Sequence, residues 1–95
     1  MRRIKLAGRY EKDLSQAFRR RAQGLESLEQ ALGILMRSEK FPNYFRDHAL
    51  EKRGTNYSGL RECHLDGDLL LIYRPLRDTV VLHRIGTHEE LFGGT

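Results

Sequence analysis

The sequence contains one cysteine, no long apolar run, and no apolar segment after its basic N-terminus. Because Cys63 has no second cysteine to pair with, no internal disulfide can form, as is usual in a reducing cytosol. The apolar run at residues 69–73 is far shorter than the roughly 18 residues that a membrane span needs. The opening MRRIKLAGRY lacks the apolar stretch of a secretory signal. We therefore expect a cytoplasmic protein without membrane association.

Length and composition predict one domain over residues 1–95. A chain of 95 residues with 39% hydrophobic residues can bury only a thin core. The sequence has no repeats, no low-complexity tract and no break in composition that would indicate a domain boundary.

Positive charge is concentrated in the first 22 residues. This segment has eight Lys or Arg and two acidic residues, a net charge of +6, whereas the remaining nine bases and eleven acids sum to −2. A concentrated basic patch favours binding to a polyanion, because neutralising phosphates releases counterions. The alternative is a solvated helix face. If the segment binds RNA, the cluster Arg19, Arg20 and Arg21 is the candidate contact.

Hydrophobic spacing in the first half predicts a strand and two helices. Residues 2–7 alternate as a half-buried strand does, and residues 10–18 then carry an apolar stripe with helical period. Gly24 separates this stripe from a second one over residues 25–36. Ser27 and Gln30 have capping-box spacing near the start of the second helix, and Pro42 marks its end.

The second half predicts a long loop and three strands. Residues 43–58 show no sustained period, whereas residues 60–65, 69–73 and 79–85 read as strands separated by turn residues. Short links between consecutive strands require an antiparallel meander. The order β-α-α-β-β-β predicts an α+β domain in which the N-terminal strand and the helical hairpin pack on an antiparallel sheet.

Histidines provide the candidate chemistry. Glu62 and His64 share one face of their strand, and Cys63 points to the other face as a small buried residue. The four histidines lack the paired spacing of a zinc motif, so we expect no metal. Histidines that converge at one end of the sheet can donate and accept protons near neutral pH, which cleavage of RNA through its own 2′-hydroxyl requires. Arg84 supplies a cation for the phosphate.

Four blocks of the sequence together resemble the YafQ-type mRNA interferases. The blocks are DHAL at 47–50, GLRECH at 59–64, an aspartate followed by LLLIY at 68–73, and HRIGTHEELFG at 83–93. They occur in the order found in this family, which consists of toxins of bacterial toxin–antitoxin pairs in the RelE/ParE superfamily. The resemblance spans nearly the whole chain and implies a RelE-like fold.

The resemblance also implies roles for individual residues. His48, His64, Asp68 and His88 match the principal catalytic positions, and Glu62 stands where the family has an acidic residue. It implies His88 as the general acid and either His48 or His64 as the base, with no cofactor. The RNA-contacting set consists of Arg84 on a phosphate, Phe92 against the scissile nucleotides, and Arg61 with the N-terminal arginines.

Toxins of this kind cleave messenger RNA in the ribosomal A site, and the resemblance implies the same setting here. It implies as partners the ribosome, mRNA and a cognate antitoxin that covers the active face. Operator DNA would be bound only through the antitoxin complex.

Two other functions compete with this hypothesis. The first is a non-catalytic toxin or binding module of the RelE/ParE fold that acts on another target, such as a gyrase, or only binds its antitoxin and operator. The second is an RNA-binding domain, which would need stacking aromatics on an open sheet face. For the second function the candidates are Tyr57 and Tyr73. The polar set around His48, His64 and His88 favours an enzyme, because a pure binding module has no need of it.

Overall fold

A computed structural model describes residues 1–20, 23–50 and 57–93, without the side chain of Arg20. The predicted succession of one strand, two helices and three strands is confirmed, and none of the described helices is long and apolar enough to cross a membrane. Two short elements lie in the segment predicted as a loop, and a third helix follows the last strand. The elements are β1 Arg3–Leu6, α1 Tyr10–Arg20, α2 Leu25–Met36, a 3-10 helix Asn43–Phe45, β2 His48–Ala49, β3 Arg61–His64, β4 Leu69–Pro75, β5 Thr79–Thr87 and α3 His88–Phe92.

The five strands form one sheet in the order β1-β5-β4-β3-β2. Strands β3, β4 and β5 pair antiparallel, which confirms the predicted meander. Strand β1 pairs parallel with β5, so the sheet is mixed and not wholly antiparallel. Parallel pairing needs a long crossover connection, and the chain between β1 and β5 provides it.

Both long helices pack on one face of the sheet, as predicted. Tyr10 and Ala17 of α1 and Leu28 of α2 are buried in one core with alternate residues of β4 and β5. Cys63 belongs to the same core, and burial raises the pKa of its thiol. A thiol that resists ionisation is a poor nucleophile, so the expectation of a structural cysteine is confirmed.

Helix α2 begins and ends through backbone geometry that the sequence pattern did not identify. Gly24 caps its start with φ 96°, and no side-chain cap is present, so the predicted capping box is wrong. At its end, Ser38 has φ 56° and the Glu39 N–H donates to the Ile34 carbonyl at 3.0 Å. This is a Schellman arrangement. The helix therefore ends well before Pro42.

The opposite face of the sheet is partly covered by α3. A capping box of Thr87 and Glu90 starts this helix. The pairing of β4 with β5 is irregular between Ile72 and Tyr73. Arg84 lies opposite Ile72, and no residue of β4 pairs with His83 in the strand register. The side chains that meet on this face are buried Leu50, Leu60 and Ile72, with Tyr57, Leu91 and Phe92 packed against them.

Candidate active site

The sheet brings three histidines and one glutamate together on the face opposite the long helices. Strand β2 pairs His48 with Glu62, and His64 follows two residues later on the same face of β3, as predicted. His88 begins α3 immediately after β5. The ring centroids of His48 and His64 are 6.0 Å apart, and those of His64 and His88 are 6.3 Å apart. The ring of His64 therefore lies next to both of the other rings.

Glu62 is the buried centre of this group. Its side chain is 2% exposed, with Oε2 3.0 Å from His48 Nε2 and Oε1 4.0 Å from His88 Nε2. Oε1 is buried and has no hydrogen-bond partner among the described residues. A buried carboxylate is unfavourable unless a cation or donor satisfies it. The Nε2 atoms of His48 and His88 each face one oxygen of this carboxylate.

His48 has an acceptor at each ring nitrogen. Nε2 faces the Glu62 carboxylate, and Nδ1 lies 3.1 Å from the carbonyl oxygen of Ala49. These two contacts fix the orientation of the His48 ring beside Glu62.

His64 has the opposite environment. Its Nδ1 lies 3.2 Å from Nη2 of Arg46, and a guanidinium can only donate. Partial burial, followed by the positive charge of Arg46, lowers the pKa of His64, and Glu62 offsets part of this effect. Both contacts favour the neutral form of His64, with the lone pair of Nδ1 facing Arg46. Sequence analysis did not identify Arg46, although it directly precedes the DHAL block.

Arg84 is fixed by a carboxylate of α1. Its Nε and Nη2 donate to Asp13 at 2.5 and 3.1 Å, and Asp13 also accepts from the Ile85 N–H at 3.3 Å. The hydrogen bond with Asp13 raises the pKa of Arg84. Sequence reasoning missed Asp13, although an acid inside the apolar stripe of α1, between Tyr10 and Ala17, was a usable signal.

Arg61 lies on the other side of β3 from Glu62 and His64. Its guanidinium donates to Asp47 at 2.7 and 3.1 Å, and the hydroxyl of buried Tyr73 donates to the same carboxylate. These bonds anchor the chain between Arg46 and His48 to the sheet. An RNA contact by Arg61 stays a prediction, and Tyr73 belongs to the core and not to a stacking surface.

The remaining predicted residues divide between the site and its surroundings. The ring of Phe92 is 5.9 Å from that of His88 and 5.9 Å from that of Tyr57, so it lies beside the histidine group. Asp68 is exposed and directly precedes Leu69, which pairs with Thr87 of β5. Since β4 and β5 are antiparallel, Asp68 lies level with His88, the residue after Thr87. Leu69, directly after Asp68, is buried in the core.

Only part of the predicted arginine cluster on α1 is described. Arg19 is exposed, whereas the Arg20 side chain and Arg21 lie outside the described residues. RNA binding by this cluster stays a prediction.

Spacing along the chain gave no sign of a metal site, but the fold assembles three donors. The ligand atoms of His48, Glu62 and His64 all lie within 4.8 Å of one another. Two imidazoles and a carboxylate are suitable ligands for zinc or copper. Pairing of β2 with β3 brings these three donors together. A group of possible metal ligands can therefore form even though the sequence has no zinc motif.

Comparison with known proteins identifies relatives that match almost the whole chain. Residues 2–93 match the family model described as bacterial toxin of type II toxin-antitoxin system, YafQ. The mRNA interferase toxin YafQ of Escherichia coli strain K12 is 30% identical over 91 residues, 95% of each chain. The crystal structure of the E. coli DinJ-YafQ complex matches with a TM-score of 0.84 and 29% identity, covering 98% of this chain and 100% of the other.

A second structural match comes from another bacterium. A copper-bound mutant toxin from Helicobacter pylori superimposes with a TM-score of 0.85 and 29% identity, covering 97% of this chain and 100% of that chain. Together with the E. coli structure, it supports the predicted RelE-like fold.

Proposed function

The chain belongs to the YafQ family of type II toxin–antitoxin toxins, and we propose that it is an mRNA interferase that cuts RNA by histidine acid–base chemistry. One observation carries the proposal: His48, His64 and His88 surround the buried carboxylate of Glu62. A purely binding surface gains nothing from a buried acid that lacks full hydrogen bonding. Proton transfer uses such an acid to hold histidines in place.

In the proposed reaction the substrate supplies its own nucleophile. The 2′-hydroxyl gives its proton to a neutral imidazole, and its oxygen forms a bond to the adjacent phosphorus. The bond from phosphorus to the 5′-oxygen breaks, and that oxygen takes a proton from an imidazolium. The products are a 2′,3′-cyclic phosphate and a free 5′-hydroxyl, with one proton taken up and one released.

The contacts of the histidines support a division of these duties. His64 has a lowered pKa, and the lone pair of its Nδ1 faces Arg46, so the ring suits the base when that contact is released. His88 is half exposed and faces the unsatisfied Oε1 of Glu62, which suits a protonated ring that acts as the acid. His48, with both nitrogens bonded to acceptors, is proposed to stabilise negative charge on the phosphate. Asp68, which lies just before β4 and level with His88, is proposed to orient a histidine.

The proposed partners are inferred from those of the related toxins. The E. coli YafQ toxin was crystallised with DinJ, and we propose that this chain likewise has a cognate antitoxin, which covers the histidine face. Messenger RNA on the ribosome is the proposed substrate in the cytoplasm, with Arg84 and Phe92 on the nucleotides. Operator DNA would be reached only through the antitoxin complex.

Neutralising Arg19, Arg20 and Arg21 together is expected to weaken ribosome binding and to flatten its salt dependence. Each lost phosphate contact reduces the log–log salt slope by roughly 0.7–0.9. Ribosome affinity measured across a salt series tests this expectation. The control neutralises Arg37, Lys40 and Arg77, which are exposed outside the basic segment. Equal slopes for the wild type and the N-terminal variant would show that this segment does not dock on the ribosome.

We expect cleavage to continue in excess EDTA and to leave a 2′,3′-cyclic phosphate, because proton transfer by histidine needs no metal. His48, Glu62 and His64 would hold a copper or zinc ion if one bound, and the ion would supply Lewis acidity. Because it would occupy the imidazole nitrogens that move protons, added Cu²⁺ is expected to inhibit. Loss of activity on chelation that a divalent ion restores would contradict the metal-independent mechanism. Mass spectrometry of the RNA ends identifies the product.

A further inference from the structure

Arg46 is held at the edge of the histidine group by its backbone. It follows the 3-10 helix with φ 46° and ψ 46°, a left-handed conformation that is unfavourable for a residue with a side chain. Its N–H donates to the Asn43 carbonyl at 3.0 Å, and the next residue, Asp47, is anchored by Arg61 and Tyr73. Neighbouring contacts thus fix an exposed arginine in a strained conformation beside His64.

The guanidinium of Arg46 forms no ion pair with a carboxylate of the described residues, unlike those of the other two arginines at the site. Arg61 is paired with Asp47, and Arg84 is paired with Asp13. Within residues 1–20, 23–50 and 57–93, Arg46 forms no ion pair with a carboxylate, and the hydrogen bond of its side chain is with His64. A guanidinium has five N–H donors, so most of its capacity to bind an anion is unused.

From this geometry we propose that Arg46 is a catalytic residue that binds the scissile phosphate, and that its movement from His64 to the phosphate exposes the His64 lone pair to the 2′-hydroxyl. The proposal rests on the proposed function. An arginine–phosphate bond is charge-assisted and stronger than a bond to a neutral ring nitrogen, so substrate would draw Arg46 away. Binding of the phosphate would then bring Arg46 onto the phosphate and free His64 to act as the base.

The test compares Arg46→Ala and Arg46→Lys with the matched control Arg37→Ala. Arg37 is an exposed arginine that is paired with Glu39. Single-turnover cleavage of a defined mRNA on translating ribosomes should fall by about 10²–10³-fold for Arg46→Ala, as expected on removing a group that stabilises transition-state charge. It should fall by less than about tenfold for Arg46→Lys, which keeps the charge, and stay unchanged for Arg37→Ala. A wild-type rate for Arg46→Ala would overturn the proposal.

A binding measurement separates this proposal from the proposed function. A 2′-deoxy analogue of the cleaved segment cannot react, so its affinity reports contact alone. Arg46→Ala should weaken its binding to the isolated protein, whereas Arg37→Ala should not. If the wild type cuts no RNA, the proposed function fails, and affinity for the analogue still decides whether Arg46 binds phosphate. Equal affinity of wild type and Arg46→Ala would overturn the role of Arg46 even if cleavage is confirmed.

Discussion

Replacing His88 with alanine is expected to lower the rate of RNA cleavage by about 10²–10⁴-fold and to abolish growth inhibition. The ring is 49% exposed, lies 4.0 Å from the Glu62 carboxylate, and is the proposed acid that protonates the leaving 5′-oxygen. Because His88 lies outside the buried core, the variant should fold normally. Single-turnover cleavage and the growth of cells that express the variant measure the two effects.

His83→Ala provides the matched control for His88→Ala. His83 lies on β5 at the register irregularity and matches no catalytic position of the family. Its removal should leave cleavage within a few-fold of the wild type. Full toxicity of a soluble His88→Ala variant would rule out His88 as the acid. If the toxic wild type cuts no RNA on translating ribosomes, the chain acts as a non-catalytic toxin, the main alternative that the sequence left open.

Replacing Glu62 with glutamine is expected to reduce cleavage by roughly 10²-fold or more without loss of stability. Glutamine keeps the shape of the side chain but removes the charge that holds His48 and faces His88. Removing one partner of a buried ion pair is normally destabilising, because a charge remains buried without its partner. Here the buried charge is the one removed, and the remaining His48 is 51% exposed and can be solvated.

Urea denaturation and cleavage assays test the Glu62 prediction together. The control is Glu89→Gln, which neutralises an exposed acid on α3. We expect it to leave both measurements unchanged. A clear drop in the free energy of unfolding of Glu62→Gln with wild-type cleavage would make Glu62 a structural residue and remove it from the proposed mechanism.

Local patterns in the sequence determined most of the architecture. Alternation of side chains along β3 was sufficient to put Glu62 and His64 on one face and Cys63 in the core, because strand geometry has a period of two. Short links between the last three strands required the meander, and the two apolar stripes required a helical layer against one face. The blocks around His48, His64 and His88 identified the family without any structure.

Tertiary structure alone decided which groups meet. Strand β2 has only two residues, too few for any period, and its pairing with β3 is what brings His48 to Glu62 and assembles three potential metal ligands. Asp13 reaches Arg84 across 71 positions of the chain. Arg46 reaches His64 because a left-handed residue ends a 3-10 helix. Contacts of this kind depend on long-range packing and loop geometry, which local periodicity does not encode.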